Sequence, residues 1–240
     1  MRFVLAGAGL RCEHVHELLK KEILEAEEVW ADVYTSPFPG GLVNCLKRFR
    51  SDVKEATRDV LEGDFPFSSH TVLVVAGDPL AATTHASLVL EAKKRGYEVK
   101  ILSNVSALQA ARTKSGLSQY RFGRVVTLMY PREGIDFTES VYLAIKENDE
   151  HNLHTVVLLE TGYGRSMTVP EAAELLCKYE DLCKRRVVAM ARLCWDDEIV
   201  LSSELGALRG RDLGSPPHLL VFPSPRLHPI EEEFLSSLAQ

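Results

Sequence analysis

The amino-acid sequence predicts an α/β protein made of two α/β domains, residues 1–113 and 114–240. Three observations predict it. Short apolar runs, each about the length of a buried strand, alternate with amphipathic stretches along the whole chain. The alternation breaks once, at TKSGLSQYRFG (residues 113–123), and then restarts. Several apolar runs stop at turns rich in Gly, Pro or Ser, as the strands of a largely parallel sheet do before their crossover helices.

The elements follow in order. Phe3 to Ala6 reads as a short buried strand that ends in Gly7-Ala8-Gly9. His14 to Glu28 carries Leu18, Leu19, Ile23 and Leu24 at helical spacing. Val29 to Tyr34 returns to a strand pattern, and TSPFPGG (35–41) is a loop. Residues 42–62 read as helical, 71–76 as a strand, and 81–95 as a helix that Gly96 stops. Val99 to Leu102 is the next strand. Beyond the join, Val125 to Met129 and Thr155 to Leu159 are strands around a helix at 138–148. A helix from Val169 to about Leu182 follows. Val187 to Leu193 and Ile199 to Ser203 are strands that can pair. Gly214-Ser215-Pro216-Pro217 is a loop, and His218 to Phe222 is a last strand before a terminal helix.

Composition bounds the function. The chain has 240 residues, 45% hydrophobic and 26% charged, which is ordinary for a globular protein. Its apolar runs are too short to span a bilayer, and MRFVLAGAGL is too short and glycine-rich for a signal peptide. The expectation is a cytoplasmic protein. The formal net charge of −6 argues against a general nucleic-acid binder. Local basic clusters, such as Lys47-Arg48-Phe49-Arg50, could still dock a macromolecule. Five cysteines without a CxxC pair read as thiols in a reducing compartment. Asn and Gln are scarce beside charged residues, a bias that suits a thermophilic source.

Four strand ends carry unusual chemistry. Gly7-Ala8-Gly9-Leu10 lets a backbone approach a ligand, and Asp32 stands where a ribose-binding acid would. The third position of a GxGxxG fingerprint is nevertheless Cys12. Gly77-Asp78-Pro79 breaks a buried strand. It reads either as a plain helix cap or as an open floor for a ligand. Ser103-Asn104-Val105-Ser106-Ala107 can touch a ligand or cap the next helix. Pro216-Pro217-His218 places a histidine at a strand start, and His85 reads as structural or functional alike. No metal spacing, nucleophile elbow or phosphate loop is present in the sequence.

Taken together, GDPLAATTH (77–85), GAGL (7–10), YTS (34–36), YRFG (120–123), Met167-Thr168, KYEDLCKRRVVAMARL (178–193) and PPHLLVFP (216–223) resemble the diphthine synthase family. That family belongs to the tetrapyrrole-methylase-like class of methyltransferases. The resemblance spans essentially the whole chain, and the GDPLxATTH motif is its most specific part. The chain departs at Ala107, where a bulkier aliphatic is usual, at Glu160 in place of Asp, and at Leu193-Cys194 in place of Ala-Gly.

The resemblance implies S-adenosylmethionine bound in a cleft between two α/β domains. Its contacts would fall on Leu10, Asp78, Ala81, Ser106, Ala107, Leu159, Leu193 and His218. It implies a protein substrate, translation elongation factor 2. There a modified histidine bearing a 3-amino-3-carboxypropyl arm is methylated on its amino nitrogen toward diphthine, three times in archaeal-type members. It also implies a homodimer. No catalytic residue follows from the motifs. Competing readings are a methylase of precorrin-type tetrapyrroles, a nicotinamide-dependent oxidoreductase built on Gly7-Ala8-Gly9, and a non-catalytic nucleotide-binding or interaction protein.

Overall fold

A computed structural model describes residues 1–161 and 165–239. The chain forms two compact units, residues 1–107 and 108–240. The boundary lies six residues before the expected join. The helix α5 (Ala107–Lys114), which the expected join put in the first domain, belongs almost entirely to the second unit.

The first unit holds β1 (Arg2–Gly7), β2 (Glu28–Asp32), β3 (Lys54–Ala56), β4 (His70–Val75) and β5 (Glu98–Leu102). They form one sheet in the order β3-β2-β4-β1-β5, and every pairing is parallel. Helices α1 (Glu17–Glu25), α2 (Leu42–Leu46), α3 (Arg58–Glu62) and α4 (Ala86–Lys94) connect them. The apolar runs are continuous because both sheet faces are covered. Val4, Ala6, Val72 and Val74 pack with Leu19, Ile23, Leu42 and Leu46 on one face. Phe3, Leu5, Leu73 and Val75 pack with Phe65, Leu88 and Val89 on the other.

Three expectations are corrected here. The helix expected over 42–62 is α2, then β3, then α3. Lys54 and Glu55 are exposed, and this edge strand exists because it pairs with Trp30–Asp32, which its own residues do not announce. The helix from 14 shortens to α1, whose first turn is capped by His16 Nδ1 accepting the Leu19 N–H at 3.1 Å. The helix after Gly-Asp-Pro begins only at Ala86. Ala82 sits at φ 57°, and Thr83 Oγ1 donates to the Pro79 carbonyl at 3.1 Å, so residues 79–85 turn before the helix starts.

The second unit holds β6 (Val126–Leu128), β7 (Thr155–Leu159), β8 (Arg186–Ala191), β9 (Ile199–Glu204) and β10 (His218–Phe222), ordered β6-β7-β10-β8-β9. Only β6 and β7 are parallel. The β7–β10, β10–β8 and β8–β9 pairs are antiparallel, so a largely parallel sheet holds for the first unit and not for the second. Helices α6 (Thr138–Glu150), α7 (Val169–Leu176), α8 (Glu180–Cys183) and α9 (Pro229–Ser237) complete the unit. The helix expected from 169 to 182 is interrupted at Cys177–Tyr179 between α7 and α8. A capping box of Thr168 with Glu171 starts α7.

The thiol reading is also corrected. Cys12 is bonded to Cys45 and Cys177 to Cys183, with Cα–Cα distances of 5.6 and 4.5 Å. The fold brings these pairs together, and the spacing of cysteines in the sequence does not disclose it. The first bridge ties the turn after β1 to α2.

Candidate functional site

In a parallel sheet all carboxyl ends share one edge, and the loops leaving them form the natural ligand surface. In the first unit, the neighbouring strands β4, β1 and β5 end in Gly77-Asp78-Pro79, Gly7-Ala8-Gly9-Leu10 and Ser103 to Ala107. The expected contacts Leu10, Asp78, Ala81, Ser106 and Ala107 therefore lie on three adjacent loops, and all five are half-buried.

These loops are fastened to one another. Gly9 and Gly77 exchange two backbone hydrogen bonds, of 3.1 and 2.7 Å. Asp78 Oδ1 accepts the Leu80 N–H at 3.1 Å, and Oδ2 accepts the Asn104 N–H at 3.1 Å. The Asn104 amide donates at 3.0 Å to the carbonyls of both Gly7 and His14. His14 Nδ1 accepts the Leu10 N–H at 3.1 Å, and burial lowers the pKa of that ring, favouring the acceptor form.

This settles both readings of Gly-Asp-Pro in part. Asp78 is no cap for α4, since His85 occupies that position. It is a strut between two loops. The backbone groups of Gly77 are taken by Gly9, so they are not the free floor the sequence suggested. What remains open is space. A Cβ on Gly77 would meet only the Ser106 Cα, at 3.8 Å, whereas one on Gly7 would stand 2.3 Å from the Gly77 carbonyl oxygen. Gly7 therefore allows the loops to close together, and Gly77, at φ 76°, leaves a cradle above them.

Asp32 does not face a ribose site. Its carboxylate is buried, accepts the N–H groups of Tyr34 (2.8 Å) and Thr35 (3.0 Å), binds the Thr35 hydroxyl, and faces His85 Nε2 at 3.1 Å. Burial alone would raise its pKa, but the His85 ring and the Thr35 and Tyr34 groups hold the carboxyl below its ordinary range. With this acid engaged, the nicotinamide reading loses the support of Asp32, and Cys12 already stood in place of its third glycine.

In the second unit, Leu159 ends β7, Leu193 follows β8 and His218 opens β10. The register pairs Leu158 with Leu219 and Ala191 with His218, so the three expected contacts lie along one sheet edge. All three are buried. His218 Nδ1 accepts the Val169 N–H at 3.0 Å, and its Nε2 lies 3.2 Å from the Ser215 carbonyl oxygen. Burial and the nearby Arg192 charge lower its pKa and keep the ring neutral. Both ring nitrogens thus serve the unit itself.

Arg192, which the sequence reading held only as part of the motif at 178–193, organises this edge. Its buried guanidinium donates to the carbonyls of Leu213 (2.7 Å), Ser215 (2.5 Å) and Asp197 (3.0 Å) and pairs with the Asp197 carboxylate at 2.6 Å. Its backbone N–H bonds to Pro217, and Arg192 and Cys194 stand at φ 48° and 68°, turning Leu193 between them. The tying roles of Asn104 and His14 were not read from the sequence either. Polar character marked Asn104 as a loop residue, but nothing local showed that it holds two strand ends.

The basic cluster at residues 47–50 is structural in part. Arg50 donates to the carbonyls of Ile23, Ala26 and Glu27 at the end of α1 and pairs with Asp52, which removes it from the docking face expected of Lys47-Arg48-Phe49-Arg50. Among the described residues no cluster of His, Cys, Asp and Glu could hold a metal ion, and no helix is long and apolar enough to cross a membrane.

Comparison with known proteins shows which family the chain resembles. The family model for tetrapyrrole (corrin/porphyrin) methylases matches residues 5–209. The diphthine synthase of Halorubrum lacusprofundi is 34% identical over 255 residues, covering 97% of this chain and 95% of that protein. The diphthine synthase of Methanopyrus kandleri is also 34% identical, over 96% and 93% of the two chains. A crystal structure of diphthine synthase superposes with a TM-score of 0.91 at 29% identity, over 100% of this chain and 96% of that one.

Proposed function

The chain belongs to the tetrapyrrole methylase family, and from that premise we propose that it is an S-adenosylmethionine-dependent methyltransferase of diphthamide biosynthesis. Its acceptor is the amino nitrogen of the 3-amino-3-carboxypropyl arm on a modified histidine of translation elongation factor 2, methylated three times to diphthine. One observation carries this reading. The likeness to diphthine synthases runs through nearly the full length of both chains and is not confined to the strand-end loops.

The residues of both units suit the cofactor. Gly77 leaves a cradle that a side chain would fill, and half-buried Leu10, Ala81, Ser106 and Ala107 stand on the loops around it. Within the second unit, Leu159, Leu193 and His218 lie buried along one sheet edge. When bound, S-adenosylmethionine supplies a methyl group already activated on a sulfonium. The chain then has to hold the acceptor nitrogen in line with that methyl and keep water out. The amine attacks as the free base. An apolar setting lowers an amine's pKa and favours that form. The reading requires no dedicated general base. It extends to a homodimer and to a cytoplasmic setting. Two disulfides accord with the cytoplasm in the disulfide-rich intracellular proteins of hyperthermophiles.

The test is direct. Incubation with labelled S-adenosylmethionine and elongation factor 2 bearing the unmethylated arm should label the factor, and mass spectrometry should find three methyl groups. Calorimetry should detect S-adenosylhomocysteine and no comparable binding of NAD. Labelling of a precorrin-type tetrapyrrole in place of the factor would move the acceptor to the other branch of the family. Preferential NAD binding would end the methyltransferase reading.

A further inference from the structure

A groove of about 580 Å³ lies within the first unit, on the β2–β3 side of β4. One wall is a single face of α4, with Ser87, Leu88, Glu91 and Arg95 at helical spacing. The opposite wall is the end of α3 and the turn after it, residues 61–65. Tyr34, Thr35 and His85 close the end nearest the strand edge. From Ser87 to Arg95 the helix rises about 12 Å, the length of about four residues of extended chain. Leu61, Phe65 and Leu88 give it an apolar floor, and Glu62, Asp64 and Glu91 stand on its rim.

The groove shares a segment with the cofactor loops. Residues 78–85 run from the strut Asp78 to the groove wall at His85. Thr83 ties them together, donating to the Pro79 carbonyl at 3.1 Å and contacting His85 Nδ1 at 2.8 Å. His85 in turn faces the buried Asp32 carboxylate. The near end of the groove is thus held rigidly beside the loop that carries Gly77.

We propose that this groove seats the polypeptide segment flanking the acceptor side chain of the protein substrate, and that the segment is basic. The inference rests on the methyltransferase reading above. An enzyme that modifies a side chain of a folded protein must grip the chain around it, and an apolar floor with a polar rim is the anatomy of such a grip. The sign of the partner follows from the rim. Three carboxylates stand against two guanidinium groups, Arg95 on the rim and Arg58 beside Glu62 and Tyr34, on a chain of net charge −6. The rim pairs, Arg58 with Glu62 (2.7 Å) and Arg95 with Asp64 (2.6 Å) and Glu91 (2.8 Å), are exposed. Exposed pairs are worth little, so incoming cations can replace their partners.

Two variants test it. Ser87→Trp fills the groove without changing charge, and the Glu62→Lys/Asp64→Lys double variant reverses the rim. Each should raise the KM for elongation factor 2 bearing the arm at least tenfold. The kcat and the affinity for S-adenosylhomocysteine should stay within twofold, and circular dichroism should be unchanged. Lys47→Glu/Arg48→Glu, on the basic cluster, should leave the KM unaltered. An unchanged KM in both groove variants overturns the proposal. So does an equal loss of S-adenosylhomocysteine affinity, which would assign the groove to the cofactor. Failure of the wild-type protein to methylate the factor would instead overturn the proposed function, and the groove's occupant with it.

Discussion

In residues 1–107 every strand runs the same way, and the loops on the working edge all leave carboxyl ends. Short side chains and backbone fasten them: Asn104, Asp78, and the paired glycines 9 and 77. In residues 108–240 the corresponding edge mixes the ends of β7 and β8 with the start of β10. There one long buried side chain, Arg192, reaches four partners at once. The difference follows from strand direction. Parallel neighbours deliver loops close enough to bond backbone to backbone, while an antiparallel edge alternates turns and chain ends that a guanidinium has to span. The first design keeps glycine space at its centre, and the second fills its centre with a charge.

The covalent ties sharpen this contrast and carry the largest expected effect. Cys12–Cys45 closes a separation of 33 residues and Cys177–Cys183 one of 6. Loop-closure entropy puts removal of the first at about 4 kcal/mol and of the second at about 2. Chemical denaturation of Cys12→Ser/Cys45→Ser and of Cys177→Ser/Cys183→Ser should show that order. The first pair should also weaken S-adenosylhomocysteine binding, because Cys12 lies two residues from Leu10. Equal losses, or a larger loss in the second pair, would remove the special dependence of the first unit on its bridge.

Gly77→Ala breaks the comparison at its centre. The new Cβ meets no atom closer than 3.8 Å, so the fold should survive with a cost of about 1 kcal/mol from the positive φ. Affinity for S-adenosylhomocysteine should nevertheless fall tenfold or more, because the cradle is filled. Calorimetry beside a melting curve separates the two effects. Wild-type affinity in the variant would make the cradle irrelevant to the ligand.

The smallest effect concerns pH. His154 and His218, both buried in the second unit, are held neutral mainly by burial, and the half-buried His14 of the first unit is shifted the same way. A depressed imidazole resists protonation in the folded state while the unfolded chain takes up protons below about pH 6.5. The stability it contributes is therefore present above that value and is lost as pH falls. Between pH 7 and 5, amide exchange corrected for its intrinsic rate should speed up more in β7, β8 and β10 than in β1 and β4. Equal changes in the two sheets would show that these histidines do not set the difference.

Much of the working surface was legible as loops. Gly7 to Leu10, Gly77 to Ala81, Ser103 to Ala107 and His218 all stand at strand ends where the sequence put them, because an apolar run that stops at Gly, Pro or small polar residues has few other uses. The pairing of β8 with β9 was legible too, from two strand-like runs with only a short turn between them, though not its antiparallel direction. Other features were not. The edge strand Lys54–Ala56 has no pattern of its own and is made by its neighbour. Asp32 looked like a ribose acid, and only the approach of His85, 53 positions later, shows its carboxylate engaged. The two disulfides, the reach of Arg192 and the groove along α4 likewise join residues far apart in the chain.

By itself the sequence determined the alternation of strands and helices, the places where chains turn at the sheet edges, and through its motifs the family. These are local matters, fixed by side-chain periodicity and by which residues tolerate a turn. Tertiary structure alone decided strand direction in the second sheet, the partners of buried charges, and which glycine leaves space and which allows contact. Those outcomes depend on distances between segments that the chain brings together only on folding. Gly7 and Gly77 are the same residue in the sequence. One has a carbonyl oxygen 2.3 Å from where its Cβ would be, and the other has nothing nearer than the Ser106 Cα at 3.8 Å.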